Sequence, residues 1–502
     1  MSGICRLSMG ARASASLLLK PFACLAAMLA AVLLYSPQSF GAVTFTASEI
    51  ASGDTGSYSI VSGDFNNDGI LDLVTVNAYT VSFYKGLGGG QYAAPVNYSG
   101  GGGSQAAAAD FNGDGKLDLA IVASDNGVVI LLGNGDGTFT PGATLSNEAA
   151  STTSLALADF NGDHIPDVAM NDCPMSSSEC GVQVRLGNGD GTFQSPIYTG
   201  GSGYALVAGD FNADGNQDIA ALNFQYSDGF NGVIVLLGEG NGQFQNQIRF
   251  ELPYSPADMA VGDFYDDRIQ TLAVASTGYN KSGTYSAYVQ TVQSSNGQLV
   301  GTEPQRVFTN SDYSDLFIIA GDLNGDFKDD IVLSGDYRTN PYSPLIEYML
   351  GTGKGTFDAH VNLPVYGEEL FYPFIRDLTL NSRHDIGLDW STSSAGGAYV
   401  LLNTNAATNC DPPPANKLGV NVCAPKEGET VGSTFTFKGA GNAFNGIAKR
   451  MELWIDGTKV GQNLEDQLKV TTTLSAGTHT ASFVVVDSFD NYTSSSVSFV
   501  AK

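Results

Sequence analysis

The chain has 502 residues and a formal net charge of −28, from 51 acidic and 23 basic side chains. Such a chain lacks the basic surface that displaces counterions from phosphates, which excludes a nucleic-acid-binding protein and electrostatic docking on anionic lipid. Hydrophobic residues make up 43% of the sequence, enough to build substantial cores, which excludes a wholly disordered protein.

The first 42 residues have the pattern of a secretory signal peptide. Arg6, Arg12 and Lys20 precede or flank an apolar run at residues 22–34, which is too short to span a membrane, and small residues follow at Ser39 and Gly41. We therefore expect residues 1–42 to be removed and the protein to be secreted or held at the cell surface. No later segment is apolar enough to predict a membrane span.

Four cysteines follow the signal peptide as two local pairs, Cys173 with Cys180 and Cys410 with Cys423. An even number of cysteines outside the cytoplasm favours two disulfide bonds. Neither pair has a second Cys or His pair beside it, which disfavours a zinc site.

One nine-residue motif, Asp-x-Asn-x-Asp-Gly-x-x-Asp, recurs along residues 43–405. Its seven copies begin 46, 49, 51, 53, 59 and 55 residues apart, at Asp64, Asp110, Asp159, Asp210, Asp263, Asp322 and Asp377. Such a period is typical of a repeat fold. The copies at Asp263 and Asp377 depart most from the motif.

Each period contains four short stretches with strand character, and a Gly-rich turn such as residues 187–191 joins the third to the fourth. This order predicts an all-β, seven-bladed β-propeller, with a solenoid as the competing architecture. Residues 43–50 resemble the outer strand of a period, whereas the seventh period stops before one. We expect the N-terminal strand to complete the last blade and close the ring.

The remainder of the chain differs in pattern. Residues 406–417 contain Asp411 followed by three prolines and predict a stiff linker. Residues 418–502 alternate apolar and polar side chains, with a two-residue hairpin signal at Asp456 and Gly457. This pattern predicts an immunoglobulin-like β-sandwich.

The repeated loop has the chemistry of a calcium site. Side-chain oxygens at motif positions 1, 3, 5 and 9 converge if the loop folds around a cation, and a backbone carbonyl at position 7 adds a ligand. The predicted side-chain ligands are Asp64, Asn66, Asp68, Asp72, Asp110, Asn112, Asp114, Asp118, Asp159, Asn161, Asp163, Asp167, Asp210, Asn212, Asp214, Asp218, Asp322, Asn324, Asp326 and Asp330. The predicted carbonyl ligands belong to Ile70, Lys116, Ile165, Asn216 and Lys328.

These residue types also form ordinary turns, but turn formation does not explain three carboxylates and an asparagine in register in successive copies. The glycine at position 6 serves a left-handed turn; the third loop has His164 there and the sixth has Phe327. The fifth loop has Tyr265 and Thr271 at ligand positions, so we expect it to be empty. The seventh has only two carboxylates, and the expected total is about five structural Ca²⁺ ions.

Residues 43–405 resemble the FG-GAP (VCBS) repeats of bacterial secreted proteins, which are related to the propeller head of integrin α chains. The resemblance is carried by residues 110–118 and the following segment 131–139, and by their copies. It implies structural calcium on one face and ligand binding on the other. Residues 418–502 resemble bacterial immunoglobulin-like domains through Val422 to Pro425 and Trp454 to Gly457.

The face opposite the calcium loops is the predicted ligand face. Its candidate aromatic residues, which could instead pack between loops, are Phe230, Tyr226, Tyr279, Tyr285, Tyr337 and Tyr342. We expect a monomer that binds an extracellular glycan or protein, as in adhesion. The alternatives are an enzyme acting on polysaccharide or phosphoester and a purely structural surface protein. No catalytic motif appears in the sequence, so no catalytic residue is predicted.

Overall fold

A computed structural model describes residues 43–502 apart from 52–56, 78, 100, 124–126, 147–151, 173–180, 202, 225–228, 268, 280, 296, 310–312, 327, 338–344, 364–368, 380–382, 392–395, 405–412, 414–417, 443–447, 464–466 and 488–490. The predicted signal peptide and most of the predicted linker lie outside these residues. The described chain consists of strands and turns, which confirms the all-β class. None of it forms a helix with the length and apolarity to cross a membrane.

Thirty-one strands occupy the described part of residues 45–403, and the second and third strands of each blade bury most of their Val, Leu, Ile and Ala side chains. In chain order they are β1 (Phe45–Ala51), β2 (Ser57–Gly63), β3 (Asp72–Asn77), β4 (Thr80–Tyr84), β5 (Gly86–Gly88), β6 (Gln91–Tyr92), β7 (Val96–Ser99), β8 (Gln105–Ala109), β9 (Asp118–Ala123), β10 (Gly127–Gly133), β11 (Phe139–Leu145), β12 (Leu155–Ala158), β13 (Asp167–Asp172), β14 (Gly181–Arg185), β15 (Ile197–Thr199), β16 (Ala205–Gly209), β17 (Asp218–Phe224), β18 (Asn231–Leu236), β19 (Ile248–Glu251), β20 (Ser255–Gly262), β21 (Thr271–Tyr279), β22 (Tyr285–Ser295), β23 (Gln298–Gly301), β24 (Gln305–Thr309), β25 (Tyr313–Gly321), β26 (Asp330–Tyr337), β27 (Leu345–Met349), β28 (Val361–Asn362), β29 (Glu369–Arg376), β30 (Asp385–Ser391) and β31 (Gly396–Asn403).

Within the described residues these strands form seven antiparallel sheets, which we number as blades one to seven, and a small β5-β6 hairpin. The blades are β2-β3-β4-β7, β8-β9-β10-β11, β12-β13-β14-β15, β16-β17-β18-β19, β20-β21-β22-β23 with β24 also on β22, β25-β26-β27-β28, and β29-β30-β31-β1. In each blade the chain runs from the first strand outward. Every acidic motif therefore connects the first strand of a blade to its second.

The first strands of the blades contact one another in a closed cycle of β2, β8, β12, β16, β20, β25 and β29, and β29 contacts β2. Side chains link neighbours in this cycle: Oγ of Ser59 accepts the N–H of Ala106 at 3.0 Å, and Oγ of Ser154 accepts that of Leu206 at 3.0 Å. The architecture is a repeat β-propeller with the first strands innermost.

The N-terminal strand completes the seventh blade, as predicted. β1 pairs antiparallel with β31, from Phe45 opposite Asn403 to Ala51 opposite Gly397. The N–H of Val43 also donates to the hydroxyl of Tyr348 at 3.0 Å in the sixth blade. This pairing covers the edge that β31 would otherwise expose.

A repeated aromatic pair connects adjacent blades. The Phe at motif position 2 packs edge-on or tilted against the Phe that follows the Gly-rich turn of the next blade, with ring centroids 5.5–5.8 Å apart: Phe65 with Phe139, Phe111 with Phe193, Phe160 with Phe244 and Phe264 with Phe357. The motif phenylalanines are almost fully buried. The acidic loop of one blade is thus packed against the Gly-rich turn of its neighbour.

The C-terminal residues form eight further strands in the described chain: β32 (Gly419–Ala424), β33 (Thr430–Val431), β34 (Thr434–Asn442), β35 (Ala448–Ile455), β36 (Thr458–Asn463), β37 (Gln467–Thr473), β38 (Gly477–Asp487) and β39 (Tyr492–Ala501). They make two sheets, β32-β34-β37 and β33-β39-β38-β35-β36, that share one apolar core. Asp456 and Gly457 form the predicted two-residue hairpin turn, with φ of 49° and 76°.

Candidate functional site

The carboxylate at motif position 9 is the buried centre of each acidic loop. In the second blade, Asp118 is fully buried and accepts the N–H of Phe111 on Oδ2 at 2.9 Å and that of Gly133 on Oδ1 at 2.7 Å. The same two bonds, from position 2 and from a residue at the end of the third strand or two residues beyond it, recur at Asp72, Asp167, Asp218, Asp330 and Asp385. The sequence motif did not indicate this structural role.

Burial changes the acidity of these groups. It raises the pKa of Asp118 to about 7, against the opposing effect of the two backbone hydrogen bonds, and the charges of Asp110 and Asp114 raise it further. Burial likewise raises the pKa to about 7 at Asp72, Asp167, Asp218 and Asp385. A bound cation would offset this cost by stabilising the charged form.

The carboxylate at position 1 organises the loop backbone. Asp110 accepts the N–H of Gly113 on Oδ1 and that of Gly115 on Oδ2, both at 2.8 Å. Asp114 at position 5 then accepts the N–H of Lys116 at 3.0 Å. Equivalent bonds occur in the other four complete loops, so these side chains shape the turn that brings them together.

Two residues of each of the first four loops have left-handed backbone conformations. The predicted one is at position 6, where His164 has φ of 67° and Gly115 has φ of 78°. The second, at position 4, was not predicted; there Asn67 and Ala213 have φ of 58° and 61°. The left-handed conformation is unfavourable for alanine. The contacts of the loop therefore impose this conformation on Ala213 against its intrinsic backbone preference.

The donors of five loops fit a hard cation, since they are carboxylate, amide and carbonyl oxygens. Among the described residues, however, no three acidic, His or Cys side chains are grouped closely enough to hold a metal ion. The position-1 and position-9 carboxylates bond to backbone amides, while Lys85, Lys116 and Lys328 pair with Asp68, Asp114 and Asp326 at 3.0–3.2 Å. A carboxylate has about four lone-pair sites, which leaves acceptor capacity for a cation. Calcium binding stays a prediction.

The fifth loop has different chemistry. At position 9, the hydroxyl of Thr271 donates to the carbonyl of Gly262 at 2.8 Å, and Tyr265 at position 3 bonds to Thr291 at 3.0 Å. A hydroxyl and a phenol are poor calcium ligands, which supports the prediction that this loop is empty. In the seventh loop Asn381 lies outside the described residues, as does Phe327 in the sixth.

The Gly-rich turns are stabilised by hydrogen bonds between their own residues. Asp136 accepts bonds from the hydroxyl and N–H of Thr138 at 2.6 and 3.0 Å, and these bonds hold the pKa of Asp136 below its usual range. Asp190 and Thr192 repeat the arrangement. These contacts support the turn role that the sequence predicts for these segments.

The opposite ends of the strands carry exposed aromatic side chains. Tyr279 is 69% exposed and its ring lies 5.0 Å from that of Tyr285, while Phe230 lies beneath the guanidinium of Arg249 at 5.0 Å. Tyr226 and Tyr342 lie outside the described residues, as does the side chain of Tyr337. Phe224, which the sequence also places on this face, is 43% exposed. Sequence reasoning missed two further residues of the face, which are Tyr58 (38% exposed) and Tyr79 (81%). Their position at strand ends was the available signal.

Three of the four cysteines in the predicted disulfide bonds lie outside the described residues. Cys423 in β32 takes part in a disulfide bond. Its predicted partner Cys410 lies outside the described residues, as do Cys173 and Cys180. Both pairings stay predictions.

Comparison with known proteins defines the class. Residues 64–121 and 110–170 match the FG-GAP-like repeat family. These matches cover FG-GAP-like repeats within residues 64–170, and they agree with the repeat β-propeller that the sheet order and the closed cycle of first strands define. No curated protein sequence matches it significantly.

Several solved structures are similar to parts of the chain. An Agrocybe aegerita lectin that recognises non-reducing terminal N-acetylglucosamine is 18% identical over 64% of this chain and 80% of its own, with a TM-score of 0.42. A subtype N11 neuraminidase-like protein of influenza A/flat-faced bat/Peru/033/2010 is 10% identical over 62% and 94%, with a TM-score of 0.37. A Dyadobacter fermentans protein of unknown function is 12% identical over 72% and 98%, with a TM-score of 0.36.

Proposed function

We propose that the protein is a secreted, calcium-stabilised, seven-bladed propeller with a C-terminal immunoglobulin-like domain, and that it recognises an extracellular glycan or protein. The observation that carries the proposal is that two opposite faces of the propeller carry different side chains. The acidic loops lie where the first strand of each blade meets the second, and the exposed aromatic residues lie at the opposite strand ends.

The calcium part rests on charge. Each complete loop has three carboxylates within nine residues, and the one at position 9 is fully buried, where an uncompensated charge is costly. About five Ca²⁺ ions bound to the folded chain alone would raise its stability through linkage. The metal ions act as structural ligands in this proposal, and no catalytic residue is assigned.

The recognition part rests on aromatic side chains in neighbouring blades, of which Phe224 and Tyr279 are exposed and Phe230 and Tyr285 are half-buried. Phe224 and Phe230 lie at the end of β17 and the start of β18 in the fourth blade, and Tyr279 and Tyr285 occupy the same place in the fifth. Rigid aromatic side chains beside polar loops bind sugars and extended peptides at low entropic cost.

A paired experiment tests both parts. Elemental analysis of the secreted chain should find about five calcium ions, and chelator should lower the melting temperature. The calcium-loaded chain should bind saturably to an array of glycans and extracellular-matrix proteins, and Tyr279→Ala should weaken that binding. An unchanged melt together with no bound calcium would refute the metal sites. Turnover of an arrayed polysaccharide would show that the protein is an enzyme and would refute the recognition proposal.

A further inference from the structure

A groove of about 430 Å³ lies between the outer strands of the third and fourth blades. One wall is β15 with Gly200, and the other is the segment 243–247 that leads into β19. This volume is within the range of small-ligand sites, roughly 300–1,000 Å³, and is far from the broad surface that a protein partner needs. The groove lies along outer strands, whereas Tyr279 and Phe224 lie where the second strand of a blade ends.

The lower part of the groove is apolar and fixed. Ile197 and Phe244 are half-buried against the core shared by the third and fourth blades. The ring of Phe244 lies 5.6 Å from that of Phe160, and its backbone bridges to Gly238. The floor is therefore held by the same contacts that join the two blades.

The upper part is aromatic and amide-rich. Tyr198 is 54% exposed, and the second wall contributes Gln243, Gln245, Asn246 and Gln247, which are all exposed. Each amide offers donors and an acceptor that exchange readily with water. No lining residue carries a charge, although the whole chain has a formal charge of −28.

We propose that this groove binds a neutral oligosaccharide. The assignment rests on the proposed function, since it names the ligand of an extracellular recognition protein. A sugar ring can place its C–H face on Tyr198 and its hydroxyls on the amides, whose donors and acceptors match those of hydroxyl groups. An acidic sugar would need the Arg or Lys partner that the lining lacks.

The test is an array of neutral and acidic oligosaccharides probed with the full calcium-loaded chain. Tyr198→Ala should weaken binding to neutral glycans about tenfold or more, and Gln245→Ala should weaken it less. Tyr198→Phe should retain most of the binding. Tyr492→Ala removes a 75% exposed tyrosine of β39, which lies outside both the groove and the predicted ligand face, and is the matched control, expected to leave neutral-glycan binding unchanged. Melting curves establish that each variant is folded.

The outcomes separate the two proposals. Neutral-glycan binding that survives Tyr198→Ala but not Tyr279→Ala overturns the groove and leaves recognition intact. Binding only to acidic glycans or only to proteins also overturns the groove alone. A folded wild-type chain that binds neither the oligosaccharide array nor the array of glycans and extracellular-matrix proteins overturns the groove and the proposed function together.

Discussion

The backbone N–H of Gly133 donates a 2.7 Å hydrogen bond to Oδ1 of Asp118, which joins the Gly-rich turn of the second blade to its acidic loop. At the other end of that turn, the N–H of Gly137 donates to the carbonyl of Phe65 in the first blade at 3.1 Å. Each such turn therefore connects two acidic loops, one in its own blade and one in the preceding blade. A substitution in one acidic loop should therefore destabilise both blades.

Replacing the central carboxylate should destabilise the fold even when calcium is removed. Asp118→Ala leaves the buried N–H groups of Phe111 and Gly133 without their acceptor, and each orphaned group costs about 1–3 kcal/mol. The free energy of unfolding in EDTA, measured by urea denaturation, should fall by at least about 2 kcal/mol. Asp358→Ala, at an exposed position outside the acidic loops and the Gly-rich turns, should stay within about 0.5 kcal/mol of wild type. Equal stability of Asp118→Ala and wild type in EDTA would contradict the structural role.

The stability of the chelated protein should fall as the pH rises. The pKa of Asp118 and its four counterparts is raised to about 7 in the folded state, from an ordinary value of 3.8. Because the folded chain holds these protons more tightly, their contribution is complete below about pH 4 and is lost by about pH 7. In EDTA the melting temperature should therefore be higher at pH 5.5 than at pH 7.5.

Calcium should remove or reverse that trend, since it binds the ionised carboxylates and competes with protons. The matched measurement is the same pair of melts in excess CaCl₂. A chelated protein that becomes more stable between pH 5.5 and 7.5 would show that these carboxylates are ionised in the fold without a metal ion.

The sequence predicted those features that each repeat carries within itself. Asp456 and Gly457 specify their hairpin turn locally, and the missing outer strand of the seventh period indicated its replacement by residues 43–50. Relations between blades could not be predicted in this way. Tyr198 and Gln245 line one groove because two outer strands are neighbours, and neither residue departs from its local pattern.

Calcium stoichiometry should distinguish complete loops from the fifth one. Asp114→Ala removes an exposed position-5 carboxylate whose neighbour is Lys116 at 3.2 Å, and it should reduce bound calcium by about one ion per chain. Asp267→Ala makes the same change in the fifth loop and should leave the content unchanged. Elemental analysis after dialysis measures both. Loss of an ion from Asp267→Ala would show that the fifth loop is occupied despite Thr271.

Backbone strain at the loops should respond oppositely to two single substitutions. Gly115 has φ of 78° and open space around the site of a Cβ atom, so Gly115→Ala adds backbone strain without a clash and should cost about 1–2 kcal/mol. Ala213, at φ of 61°, already has that strain. Ala213→Gly should remove this strain, but the greater freedom of glycine in the unfolded chain costs about 0.5–1 kcal/mol of stability. The free energy of unfolding should therefore rise by up to about 1 kcal/mol. Denaturation in EDTA keeps calcium out of the comparison, and a stabilising Gly115→Ala would refute the left-handed geometry.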